Sequence, residues 1–100
     1  STTEMLEDLG HQVIGANSGR HALDILRSEQ PIDLMVTDHM MPGMTGLELV
    51  AASREVRPSL PVLLATGYAE LPEGTQLDLP RLAKPYHQDQ LRDQLDQLLA

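Results

Sequence analysis

The sequence contains no cysteine, no tryptophan and no phenylalanine, and only 2 tyrosines. The absence of cysteine excludes a disulfide framework and a thiolate metal site, and it is typical of a cytoplasmic protein. No apolar run approaches the roughly 20 residues that a helix needs to cross a bilayer, so membrane insertion is not expected. The core must therefore be built from leucine, valine, isoleucine, methionine and alanine.

Basic residues are also few. The 7 lysines and arginines are scattered among 15 acidic residues, and the formal net charge is -8. Because phosphate backbones select clusters of lysine and arginine, direct nucleic-acid binding is not expected. A chain of 100 residues is long enough for one core, so residues 1–100 are assigned to a single domain.

Short apolar runs alternate with amphipathic segments along the chain. Strands are predicted at residues 12–16, 32–37, 61–66 and 82–83. Residues 32–37 and 61–66 are almost entirely apolar, which suits strands buried on both faces of a parallel sheet. Strands that alternate with helices predict an α/β fold, in which helices cover both faces of a parallel sheet.

Helices are predicted in the intervening segments. The first ends at Gly10, and another begins at Thr45, where Thr45 and Glu48 have the spacing of a capping box. The inward face of that helix is predicted to carry Leu47, Val50 and Ala51. Two further helices are predicted, one in the segment that contains Leu23 and one in the segment that contains Leu95. Residues 70–80 contain two prolines and a glycine, and proline costs about 3 kcal/mol inside a helix, so any helix there is short or absent.

Three polar residues follow the ends of predicted strands: Asp38, Thr66 and Lys84. Taken singly, each has an ordinary interpretation as a turn residue, a cap or a solvated lysine. Taken together, they converge on the sheet edge where ligands bind in such folds. A carboxylate can attack phosphorus to form an acyl phosphate, while a divalent cation and an ammonium group neutralise charge. A nearby hydroxyl can then hydrogen-bond a phosphoryl oxygen and report the modified state.

The same residues carry a family resemblance that covers essentially the whole chain. Residues 33–46 contain an Asp-x-x-Met-Pro-x-x-x-Gly core, starting at Asp38, that resembles the phosphorylation loop of response regulator receivers. Residues 60–67 resemble the strand that bears the switch hydroxyl of that family, and residues 82–86 resemble its lysine-proline motif. The resemblance implies a doubly wound, flavodoxin-like parallel sheet and a signalling phosphoacceptor rather than an ordinary enzyme.

By this resemblance, Asp38 is the phosphoacceptor, Thr66 the switch hydroxyl and Lys84 the cation that contacts the phosphoryl group. The backbone carbonyl of Met40 would join Asp38 in binding Mg²⁺, and the Lys84–Pro85 peptide is a candidate for the cis form. The implied partner is a sensor histidine kinase or a histidine phosphotransfer protein.

The chain departs from the family at its start. Family members begin with a central strand that ends in an acidic pair, whereas this sequence opens within the first helix. We therefore expect an N-terminally incomplete domain that lacks its first strand and binds Mg²⁺ weakly. Either the chain is truncated, or another copy completes the fold in a homodimer or a strand-swapped assembly. Arg81 stands where the family often has an aromatic residue, so a readout by an aromatic rotamer is not expected. The short segment at residues 70–80 resembles that of receivers in hybrid sensor kinases.

Two alternatives remain open. One is a haloacid-dehalogenase-like phosphatase, which also uses an aspartate, a hydroxyl and a lysine. Such enzymes carry a second acid two residues after the nucleophile, and that position is Met40 here, which argues against this alternative. A degenerate receiver would act as a protein-binding module without phosphorylation. The retained Asp38, Thr66 and Lys84 argue against the degenerate receiver, and the missing acidic pair argues for it. His39 is interpreted as an exposed polar residue of the loop.

Overall fold

The computed structural model describes residues 1–100 and contains an open parallel sheet of three strands. The strands are β1 (Met35–Asp38), β2 (Val62–Thr66) and β3 (Arg81–Ala83), in the order β1-β2-β3. The register pairs Asp38 with Ala65 and Thr66 with Ala83, so the carboxyl ends of all three strands lie at one edge. The predicted parallel α/β architecture is confirmed.

Four helices flank the sheet: α1 (Thr2–Asp8), α2 (Gly19–Arg27), α3 (Gly46–Val56) and α4 (Gln88–Leu99). The predicted capping box at the start of α3 is present, with Thr45 Oγ1 accepting from Glu48 N and Glu48 Oε1 accepting from Thr45 N. Gly10 follows α1 with φ +94°, a conformation that glycine adopts without a steric penalty. None of the four helices combines the length and the apolar character that a membrane-spanning helix requires.

The helices pack on both faces of the sheet, and β2 is therefore buried on both sides. On one face, α1 and α4 cover a core of Leu63, Leu82, Leu91 and Leu95. On the other face, α2 and α3 enclose Leu23, Leu26 and Leu49. This arrangement is the doubly wound fold that the alternating pattern predicts.

The inward face of α3 differs from the prediction. Leu47 is only half-buried and Ala51 is exposed, whereas the buried positions of α3 are Gly46, Leu49, Val50 and Ser53. A side chain at Gly46 would collide with Leu64 Cδ1 and His39 Cα, at 2.7 and 2.8 Å from an ideal Cβ. The first residue of α3 therefore lies against β2, and positions three, four and seven residues later share that face.

The predicted strand at residues 12–16 is wrong, because this segment forms no strand and pairs with no other part of the sheet. The prediction at residues 32–37 is partly wrong, since the strand runs only from Met35 to Asp38. Strand structure requires a hydrogen-bonded neighbour, and β1 has one only on the side of β2. A groove lies between β1 and residues 12–16, with apolar side chains from both in its walls.

Candidate functional site

The carboxyl edge of the sheet brings together the residues that the sequence singles out. Asp38 ends β1, Thr66 ends β2, and Lys84 directly follows β3. The Lys84 backbone N–H donates to the Thr66 carbonyl at 2.8 Å, which extends the β2–β3 pairing by one residue. The Lys84–Pro85 peptide is cis, as the family resemblance predicts.

Asp38 and Lys84 form the central ion pair of the site, with Lys84 Nζ 3.5 Å from Asp38 Oδ1. The Asp38 side chain is 55% exposed and that of Lys84 is 32% exposed. One carboxylate oxygen of Asp38 thus meets a cation while the group as a whole stays open to solvent. A carboxylate in this position can be approached by a charged substrate.

Thr66 is fully buried and does not hydrogen-bond Asp38 or Lys84 through its side chain. Its Oγ1 accepts a hydrogen bond from Nε of Arg81, the residue that stands where the family often has an aromatic. A hydroxyl can accept one hydrogen bond and donate another, so the Thr66 proton stays available to a further acceptor.

Glu70 belongs to the site, although the sequence analysis assigned it no role. Lys84 Nζ lies 3.5 Å from Glu70 Oε2, the same distance that separates it from Asp38. The Glu70 side chain is only 18% exposed, and its Oε1 is buried without a hydrogen-bond partner. The available sequence signal was the Thr-Gly at residues 66–67, which favours a turn that can direct a following side chain back toward the sheet edge.

The interpretation of His39 as an exposed residue is wrong, because it is 7% exposed. Its backbone N–H donates to Ala65 and its carbonyl accepts from Gly46, so the chain is still held to β2 and α3 at this point. The side chain consequently points inward, and its Nδ1 is buried without a partner.

The donor set for Mg²⁺ is small. Asp38 supplies one half-exposed carboxylate. The backbone carbonyl of Met40 accepts no hydrogen bond, so its oxygen is also available to a metal ion. No group of three or more histidine, cysteine, aspartate or glutamate residues could hold a metal. Mg²⁺ in proteins keeps several waters and uses one or two carboxylates. The residues present fit a minimal, mostly hydrated Mg²⁺ site.

The loop between β2 and β3, residues 67–80, contains no helix, as its prolines predict. We call it the β2–β3 loop. Arg54 of α3 anchors it by donating to both carboxylate oxygens of Asp78, at 2.9 and 3.2 Å. The hydrogen bonds between Arg54 and Asp78, and to a smaller extent the attraction between their charges, lower the pKa of Asp78 and raise the pKa of Arg54.

We expect acid to loosen this anchor. Because the pKa of Asp78 is lower in the folded state than its unfolded value of about 3.9, the stabilisation is fully present above that value. It is lost as the pH falls through the folded pKa. Carbon-detected NMR of the Asp78 carboxyl should give a midpoint below about 3.9, with loop amide shifts at the same midpoint. In Arg54→Gln the midpoint should rise; an equal midpoint in both proteins would contradict the anchor.

Comparison with known proteins gives a consistent result. The family model for the response regulator receiver domain matches residues 1–96. Response regulator receiver protein CpdR of Brucella abortus is 34% identical over 98 residues, which cover 94% of this chain and 81% of CpdR. Among solved structures, a receiver protein of Sinorhizobium medicae is 31% identical with a TM-score of 0.83, covering 97% of this chain and 81% of that one. The receiver domain of the hybrid histidine kinase CckA is 27% identical with a TM-score of 0.79, covering 98% and 85%.

Proposed function

The chain belongs to the response regulator receiver family, and from that premise we propose that Asp38 accepts a phosphoryl group from a phosphohistidine. The donor is a sensor histidine kinase or a histidine phosphotransfer protein. The observation that carries the proposal is the ion pair between the half-exposed Asp38 carboxylate and Lys84 Nζ at the carboxyl edge of the sheet. Receivers of this family are signalling phosphoacceptors, and their phosphorylation site generally binds Mg²⁺.

The transfer follows from the position of these groups. An oxygen of the Asp38 carboxylate attacks phosphorus, the P–N bond to the donor histidine breaks, and the imidazole keeps the electron pair. Charge on the transferring group spreads over its equatorial oxygens, where the Lys84 ammonium stabilises it. The Asp38 side chain is 55% exposed, which suits an in-line approach of the donor from solvent.

Mg²⁺ supplies further charge neutralisation when it is bound. The Asp38 carboxylate and the Met40 carbonyl would hold it. Because residues 1–100 supply only these two protein ligands, Mg²⁺ binding to residues 1–100 alone is weak. Lys84 therefore carries most of the charge stabilisation that this chain itself provides.

Thr66 serves as the switch hydroxyl. Its Oγ1 accepts from Arg81, so the hydroxyl proton is free to donate to a phosphoryl oxygen on Asp38. That bond draws the end of β2 toward Asp38, and the β2–β3 loop follows because it begins at Gly67. With Arg81 in place of an aromatic residue, the signal passes through a guanidinium hydrogen bond rather than an aromatic rotamer.

The groove between β1 and residues 12–16 supports a further strand in the complete domain. A further strand in this groove would complete the sheet, supplied either by additional residues of the same protein or by a second copy. The inserted strand would pair with the free edge of β1 and with residues 12–16. A second copy that donates the strand would appear instead as a dimer in sedimentation experiments.

A degenerate receiver that binds proteins without phosphorylation is the second candidate. The observation that favours it is the lack of any acidic cluster able to hold a metal. Acidic residues contributed by the upstream strand would remove that argument, and apolar or basic residues there would strengthen it.

The direct test is the location of the phosphoryl group. The protein is incubated with a phosphorylated histidine phosphotransfer protein and Mg²⁺, and the acyl phosphate is reduced with borohydride before peptide mass spectrometry. We expect homoserine from reduction at position 38 only. Modification at another acidic residue would exclude Asp38 as the acceptor. No modification with several donors and an upstream-extended chain would exclude the phosphoacceptor function.

A further inference from the structure

The unmodified site already contains a second anion. Lys84 Nζ lies 3.5 Å from Glu70 Oε2 and 3.5 Å from Asp38 Oδ1, so one ammonium group is shared by two carboxylates. The three groups together carry a net charge of about one negative unit. A phosphoryl group on Asp38 adds negative charge of about 1.5 to 2 units beside the same cation.

The backbone of the β2–β3 loop directs Glu70 into this position. Residues 67–70 form a turn in which the Glu70 N–H donates to the Gly67 carbonyl at 3.3 Å. Ala69 has φ +62°, a left-handed conformation that costs a residue with a side chain free energy. The Glu70 carboxylate lies close against Gly67, where a Cβ would meet Glu70 Oε2, so a larger residue at position 67 would force the carboxylate to shift.

Glu70 is also held in an unfavourable environment. Its side chain is 18% exposed, less than those of Asp38 and Lys84, and its Oε1 is buried without a hydrogen-bond partner. A buried carboxylate oxygen without a partner loses hydration that solvent would restore. The contact with Lys84 thus offsets both the backbone strain at Ala69 and the desolvation of Glu70, and its loss favours release of the loop.

From these contacts we propose that Glu70 is an internal competitor that occupies Lys84 while Asp38 is unmodified and is expelled when a phosphoryl group reaches Asp38. The proposal rests on the phosphoacceptor function and adds a regulatory contact to it. Glu70 is a positioning residue: it acts through Lys84 and does not touch the reacting atoms. Its expulsion releases the turn at residues 67–70, so that modification at Asp38 becomes a change of loop conformation.

The first test uses the affinity for beryllofluoride with Mg²⁺, a phosphoryl analogue that binds aspartate. The upstream-extended protein is compared as wild type, Glu70→Gln and Glu73→Gln. Glu70→Gln keeps the size of the side chain and removes the competing charge, so its affinity should rise on the order of tenfold. Glu73 is an exposed acid of the same loop without an ion pair, so Glu73→Gln should bind as the wild type does.

The second test needs no variant, which guards against a Glu70→Gln protein that folds poorly. In the wild type, the side-chain carboxyl carbon of Glu70 and the Gly67 amide should shift on binding of beryllofluoride, as Glu70 leaves Lys84. If the analogue binds at Asp38 and these signals stay in place, or if Glu70→Gln and Glu73→Gln bind equally, the competitor role is excluded. If no variant and no wild type binds the analogue, the phosphoacceptor function itself fails.

Discussion

Replacing Asp38 with asparagine is expected to abolish phosphorylation while leaving the fold intact. Asparagine has the same shape, but its neutral amide cannot supply the carboxylate oxygen that attacks phosphorus. The side chain is 55% exposed, and its only ion pair is with the partly exposed Lys84. An exposed pair contributes about 0–1 kcal/mol, so the free energy of unfolding should fall by no more than that.

The measurement combines phosphoryl transfer from a labelled histidine phosphotransfer protein with urea unfolding of the same preparations. Asp33→Asn is the matched control, because Asp33 is an exposed aspartate just before β1, away from the carboxyl edge of the sheet. Asp33→Asn should be labelled like the wild type. Stable labelling of Asp38→Asn would show that another residue accepts the phosphoryl group.

Replacing Lys84 with alanine is expected to slow transfer on the order of a hundredfold, the scale on which losing one preorganised charged donor acts. The two carboxylates that share Lys84 would then face each other without a cation. Glu70, which is largely buried, loses its only counter-charge, so a stability loss of about 1–3 kcal/mol is expected. Folding should survive, because Lys84 follows β3 and belongs to neither apolar cluster.

Arg92→Ala provides the control for the loss of a basic residue, since Arg92 pairs only with acidic residues of its own helix. It should transfer at the wild-type rate. Lys84→Arg keeps the charge but changes the donor geometry, and it should recover part of the rate. A Lys84→Ala protein that unfolds while Lys84→Arg transfers normally would mark Lys84 as structural, and an unchanged rate in Lys84→Ala would remove it from the site.

The features that the sequence predicts best are those set by local patterns. The Thr45 capping box and the buried strand β2 are confirmed. So is the convergence of Asp38, Thr66 and Lys84, because parallel strands bring their carboxyl ends to one edge regardless of packing detail. Each of these depends on residues that are close in sequence or on a topological rule.

The wrong predictions depend on contacts that a local pattern does not contain. Residues 12–16 have a strand-like sequence but no neighbour with which to pair. The burial of His39 follows from how its backbone is held by Ala65 and Gly46, and the inward face of α3 follows from the close approach of Gly46 to β2. Glu70 was assigned no role, since its contact with Lys84 depends on the turn at residues 67–70, in which Ala69 has φ +62°.

The central claim is that Asp38, Thr66 and Lys84 form a phosphoryl site. The most direct measurement is amide NMR of the upstream-extended protein during addition of beryllofluoride and Mg²⁺, with residues 1–100 alone in parallel. We expect shifts at Asp38, Thr66 and Lys84 in the extended protein and weak or no shifts in residues 1–100 alone. The absence of shifts at these residues in both proteins would contradict the phosphoacceptor function and favour the degenerate binding module.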